Sequence, residues 1–194
     1  MNFKKHDQKC ALLVVDAQES FKAMGEALWK SRGPADFEVH IKSLVTGFRD
    51  ANQPVYFILH KDDDPGFSTD SPLFRVMDFL EHRPDEPVIL KQVHNAFTGS
   101  PLLPMLIQNR ISRVVICGIR TEQCCETTAR VASDLGFDVS FVTQATLTFP
   151  LHHPHRDEKM TVDQIQARTE MVLHNRFARI VTVQDVLSLL REEG

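Results

Sequence analysis

Concentrated positive charge is missing from this chain. Its 22 Lys and Arg stand against 26 Asp and Glu, a formal net charge of -4 with no basic stripe, which removes the electrostatic basis of phosphate-driven nucleic-acid binding. Long apolar runs are missing too. The opening stretch MNFKKHDQKC is polar, and the first apolar run, Ala11 to Val15, is too short for a signal-peptide core or a membrane span. A cytoplasmic protein with no membrane partner is expected. Cysteine is scarce: Cys10, Cys117, Cys124 and Cys125 show neither C-x-x-C spacing nor the density of a secreted disulfide scaffold, which suits reduced thiols. No internal repeat, low-complexity tract or Gly/Ser linker marks a domain boundary. What remains is 194 residues, 42% hydrophobic and 25% charged, a chain able to bury about 70% of its unfolded surface as one soluble domain without a disulfide or structural metal.

Short apolar runs recur along it: Leu12 to Val15, Val55 to Leu59, Val88 to Leu90, Val114 to Cys117, Val139 to Val142 and Ile180 to Val183. Most lack polar alternation, as strands buried on both faces do. Between them lie helix-like segments. Phe37, Ile41, Leu44, Val45 and Phe48 form one helical stripe, with Asp36 as its N-cap. Cys125, Thr128, Ala129, Ala132 and Leu135 repeat at helical spacing over Glu122 to Leu135, with Gly136 as a stop. Thr161 and Gln164 form a capping-box pattern opening a helix to about Phe177. Alternating strands and helices imply an α/β fold, a parallel sheet of about six strands with helices on both faces. In such sheets ligands sit beyond the carboxyl ends of the strands.

Asp16 ends the first apolar run and Lys91 the third. Asp16 reads equally as a helix cap or turn former, and a lysine ending a strand is usually solvated; opposite charges at equivalent strand ends can also converge on one site. The fourth run leads through Gly118-Ile119-Arg120-Thr121 to Cys124 in a first helical turn, where the macrodipole and free backbone N–H groups lower a thiol pKa and can hold an oxyanion. Cys125 lies on the apolar stripe and reads as core, leaving Cys124 rotated away from it. Cys117 and Cys10 read as buried and inert. Thiolate, carboxylate and ammonium together make a nucleophilic set.

The stretches LLVVDAQESF, VILKQVHNAFTGSPL and CGIRTEQCCETTARVASDLGFDV, followed by QATLTF, resemble the isochorismatase-like cysteine hydrolases across nearly the whole chain. The resemblance implies a single domain over 1–194 with a catalytic triad of Asp16, Lys91 and Cys124. It also implies a cis peptide between Ile119 and Arg120, with the backbone N–H groups of Arg120 and Cys124 as the oxyanion hole, a pocket aromatic at Phe21, and assembly as a dimer or tetramer. Trp29 and Phe97 are further pocket candidates.

Departures from the family pattern narrow the chemistry. Zinc-dependent nicotinamidases of the family carry an Asp-x-His pair after the second strand. This chain reads HKDDDPGFSTDSP there, so no metal and no cofactor are expected, and His60, Asp62, Asp63 and Asp64 read as a solvated loop. Gln144 stands where the family often has Asp. His152 to His155 reads as a polar loop that could overhang the strand ends. The reaction implied is hydrolysis of a C–N bond in a small amide, ureide or carbamoyl compound through a thioester. The alternatives are vinyl-ether hydrolysis, against which Cys124 argues because the vinyl-ether-cleaving members lack the nucleophilic cysteine, and a non-enzymatic thiol sensor built on Cys124 and Cys125.

Overall fold

The computed structural model describes residues 9–193. In chain order β1 (Lys9–Val15) leads through a 3-10 segment (Glu19–Met24) to α1 (Glu26–Lys30), α2 (Phe37–Asp50), β2 (Val55–His60), β3 (Val88–Lys91), α3 (Leu102–Gln108) and β4 (Ile111–Ile119). A π-turn over Thr121–Cys125 then opens α4 (Glu126–Asp134), followed by β5 (Asp138–Leu147), a hairpin of β6 (Leu151–His152) and β7 (Lys159–Met160), α5 (Val162–Leu173), β8 (Arg179–Ile180) and α6 (Val183–Glu193). The main sheet has six parallel strands in the order β3-β2-β1-β4-β5-β8.

Side-chain alternation along β1 divides the core in two. Leu12 and Val14 face α2 and α6, packing with Phe37, Ile41, Leu44, Phe48 and Leu190. Ala11, Leu13 and Val15 face the opposite layer, where Leu102 and Leu106 of α3 and Ala129 and Ala132 of α4 cover the sheet. All five residues of the α2 stripe are buried, and each large side chain so buried stabilises the fold by about 1.5–3 kcal/mol. The Asp36 backbone carbonyl accepts from His40 N at 3.0 Å, but the Asp36 carboxylate makes no capping bond.

The strand order reverses between β1 and β4, the point where open α/β sheets form a crevice beyond their carboxyl ends. Gly118 makes that junction possible. Its φ is 126°, and a Cβ there would sit 1.8 Å from the Val15 carbonyl oxygen, so no larger residue fits.

Three local expectations change, and one pairing is new. The sixth strand is only Arg179–Ile180, because Val183 opens α6. The Thr161/Gln164 capping box forms, but α5 stops at Leu173: His174 leaves helical geometry, Asn175 takes a φ of 56°, and Ala178 N returns to Leu173 O at 3.1 Å. β3 is an edge strand with Val88 and Leu90 each 42% exposed, not a strand covered on both faces. The two-residue strands of the β6–β7 hairpin are too short to leave a periodic signal, so that pairing had no trace in the sequence pattern.

Candidate active site

Three parallel strands end side by side, and each delivers one polar side chain to the same place. β1 runs into Asp16, whose amide donates to Ile58 O at 2.8 Å and whose φ is 49°. A non-glycine residue held there costs on the order of 1–3 kcal/mol, so surrounding structure rather than local preference sets the carboxylate's position. β2 ends in His60 and β3 in Lys91, cross-strand neighbours in register. Gln18 clamps the first two ends together: its Nε2 donates to His60 O at 3.1 Å and its Oε1 accepts from His60 N at 2.7 Å. β4 approaches from the other side of the reversal. The Ile119–Arg120 peptide bond is cis, and the π-turn that follows brings Cys124 against Lys91.

Lys91 Nζ lies 2.7 Å from Asp16 Oδ2, 3.4 Å from Cys124 Sγ, 3.1 Å from Val93 O and 3.3 Å from His60 Nδ1. An ammonium has three N–H donors. Asp16 Oδ2 and Val93 O, the two nearest acceptors, take two, and the third lies between Cys124 Sγ and His60 Nδ1; an ammonium has no lone pair, so Nδ1 faces it unprotonated and the ring proton is on Nε2, facing Asp62 Oδ2 at 3.0 Å. The Asp16 carboxylate is engaged by the Lys91 ammonium at 2.7 Å and lies within reach of the Cys124 thiol.

Burial raises the Asp16 pKa, opposed by the Lys91 charge. Burial also pushes the Cys124 thiol up to about 12, and the Asp16 charge adds to the rise while Lys91 opposes it. This corrects the expectation of a thiol acidified by a helix start. Cys124 sits inside the π-turn before α4 at 9% exposure, where desolvation outweighs the dipole. This environment favours the neutral form of the Cys124 thiol. Cys125 is fully buried against Ala129 and Ala132, and burial alone is the largest cause of its raised pKa. Cys117 is likewise core, its Sγ donating to Leu13 O at 3.7 Å.

A family model, the Isochorismatase domain, matches residues 10–185. The chain belongs to the isochorismatase family. It is 30% identical over 186 residues to the uncharacterized isochorismatase family protein YrdC of Bacillus subtilis, covering 94% of this chain and 96% of that one. It is 30% identical over 155 residues to Nicotinamidase 3 of Arabidopsis thaliana, covering 72% and 73% of the two chains. An isochorismatase-family structure from Chromobacterium violaceum superposes with a TM-score of 0.87 at 26% identity, over 99% of this chain and 97% of that one. The protein is an isochorismatase-family hydrolase, and among the described residues no helix is long and apolar enough to cross a membrane.

In this family member an aromatic wall adjoins the polar cluster. Phe21 meets Phe67 edge-on at 5.2 Å and stacks on Phe149 at 6.3 Å; Trp29 reaches Phe149 at 6.4 Å, and His60 reaches Phe67 at 6.1 Å. Phe97 stacks on Phe137 in the other core layer, the one that also holds Cys124. Gln144 Oε1 accepts from Val183 N at 3.0 Å and so caps α6. His153 and His155 contact each other at the hairpin, 6.3 Å between ring centroids. A surface groove of about 670 Å³ between α2 and α6 is lined by Val39, Gly47, Leu187 and Leu190 and by none of Asp16, Lys91 and Cys124. Sequence reasoning missed His60, set aside with the acidic loop. The signal was there: it ends a strand as Asp16 and Lys91 do.

Proposed function

We propose that this hydrolase cleaves the C–N bond of a small amide, ureide or carbamoyl compound, with Cys124 as nucleophile, Asp16 as proton acceptor and Lys91 as the cation between them. The convergence of these three side chains carries the reading. Because the thiol rests protonated, its proton passes to Asp16 as Sγ attacks the carbonyl carbon, and the Lys91 charge stabilises the anionic sulfur during the attack. The oxyanion is received by the backbone N–H groups of Arg120 and Cys124. Collapse of the tetrahedral adduct breaks the C–N bond while Asp16 returns its proton to the leaving nitrogen. Water then attacks the thioester, Asp16 taking its proton; collapse of this adduct breaks the C–S bond, Asp16 returns the proton to sulfur, and the carboxylic or carbamic acid product leaves the free thiol.

No metal enters this scheme. His60 Nδ1 faces the Lys91 ammonium at 3.3 Å and its Nε2 is engaged by Asp62, so a divalent cation at His60 would meet a like charge. Family resemblance supports a dimer or tetramer in the cytoplasm acting on a small molecule. The thiol-sensor alternative lacks a resolving partner in reach of solvent, because Cys125 is enclosed in the core. Ammonia release from a panel of primary amides and ureides tests the reading: turnover lost in Cys124→Ala supports it, and turnover unaffected by that substitution refutes it.

A further inference from the structure

Arg120 immediately precedes the π-turn that holds Cys124, and its carbonyl accepts from Cys125 N at 3.1 Å. Its guanidinium is half-buried. It lies over the Phe149 ring at 4.7 Å, and Nη2 touches Met24 Sδ at 3.8 Å. A ring face and a thioether hold a cation in place without neutralising it. Among the described residues no carboxylate comes within ion-pair distance of it. Glu122, the nearest acid in sequence, is turned to other work: its Oε2 accepts from Thr148 Oγ1 at 2.6 Å, and its Oε1 is buried with no donor. By contrast, Arg49 pairs with Glu86 and Arg130 with Glu126.

Desolvation pulls the Arg120 pKa below its ordinary value, with Glu122 and Cys124 pulling the other way. Phe149 in turn stacks on Phe21, so the cation stands at the end of the aromatic wall that leads to the triad. A partly desolvated cation without a counter-ion is costly, and the planar fork of a guanidinium matches a carboxylate with two parallel hydrogen bonds.

We propose that the Arg120 side chain anchors a carboxylate carried by the substrate, so that the preferred substrates are amides bearing a carboxylate near the scissile carbonyl. This rests on Cys124 as the reacting thiol, but it can be read without turnover. Iodoacetate and iodoacetamide both form an S–C bond at Cys124 and expel iodide, the thiol proton passing to solvent, and they differ in that only the first carries a carboxylate. The ratio of their rate constants within one protein cancels the thiolate fraction.

The experiment measures that ratio at Cys124 by peptide mapping, with N-acetylcysteine run in parallel. The ratio in the wild-type protein is expected to exceed the N-acetylcysteine ratio by about tenfold or more, the scale of one hydrogen bond to a charged group. Arg120→Met should bring it down to the reference, and Arg120→Lys, which keeps the charge without the fork, should lie between. A wild-type ratio no higher than the reference overturns the proposal. So does a high ratio that persists in folded Arg120→Met, which would credit Lys91 instead. If the Met variant does not fold, an unchanged ratio in Arg120→Lys has the same force. Preference for iodoacetate in a protein that hydrolyses no amide would sink the amidase reading and leave the carboxylate anchor standing; amide turnover without that preference would do the reverse.

Discussion

Lys91 Nζ and Asp16 Oδ2 are 2.7 Å apart at the ends of two strands that are not adjacent in the sheet, with side chains 0% and 1% exposed. A pair so deeply buried recovers its desolvation cost only while both charges are present. Removing one partner leaves an uncompensated charge and costs about 3–5 kcal/mol, whereas replacing both can be neutral. Asp16→Asn and Lys91→Met are each expected to lower the thermal midpoint and abolish turnover. The double variant should regain much of the stability and none of the activity. Calorimetry beside steady-state rates checks this; an active, fully stable Asp16→Asn protein would reduce the carboxylate to a structural cap.

The pH dependence follows from the raised Asp16 pKa. A protonated carboxyl cannot accept the thiol proton, so kcat/KM should rise with pH through an acid limb lying above the ordinary carboxylate value of 3.8. A profile flat down to that value would contradict the assignment of Asp16 as the base.

A thiol held at about 12 makes a different prediction for alkylation of the free enzyme. Iodoacetamide should label Cys124 slowly near neutrality, with a rate climbing about tenfold per pH unit towards that value, because only the thiolate reacts. Cys125 should stay unlabelled in the native protein. A rate that levels off near neutral pH, or labelling of Cys125 first, would show that another group sets the thiol's state. Cys125→Ala should cost mainly stability, through a small cavity against Ala129 and Ala132.

Metal independence is tested by dialysis against a strong chelator. Turnover should persist after dialysis. Its loss, with recovery on adding zinc, would replace the proposed mechanism with a metal-assisted one.

The fold itself is most exposed at Gly118, where a Cβ would lie 1.8 Å from Val15 O. Gly118→Ala is expected to destabilise by at least about 1–3 kcal/mol, which in a domain of this size lowers the thermal midpoint by about 2–4 °C per kcal/mol. It should also disturb Asp16, the next residue after Val15. An unchanged midpoint would mean that β1 and β4 separate at little cost.

Hydrophobic periodicity by itself determined the strand and helix alternation, the α2 stripe and the membership of Cys125 in the core, because these depend on which residues share a face within one segment. The three family motifs pointed to Asp16, Lys91 and Cys124 for the same local reason: each directly follows, or closely follows, a readable strand. Only the tertiary structure decided what these groups are to one another. The thiol pKa depends on burial and on the charges of Asp16 and Lys91, drawn from two strands, so a helix-start argument took the wrong sign. His60 looked like part of an acidic loop until β2 and β3 were placed in register and set its Nδ1 beside Lys91. The unpaired guanidinium of Arg120 depends on where Glu122 turns and on where Phe149 returns to the sheet end. Local pattern shows which residues can reach a site; the protonation and partners found there follow from contacts between distant segments.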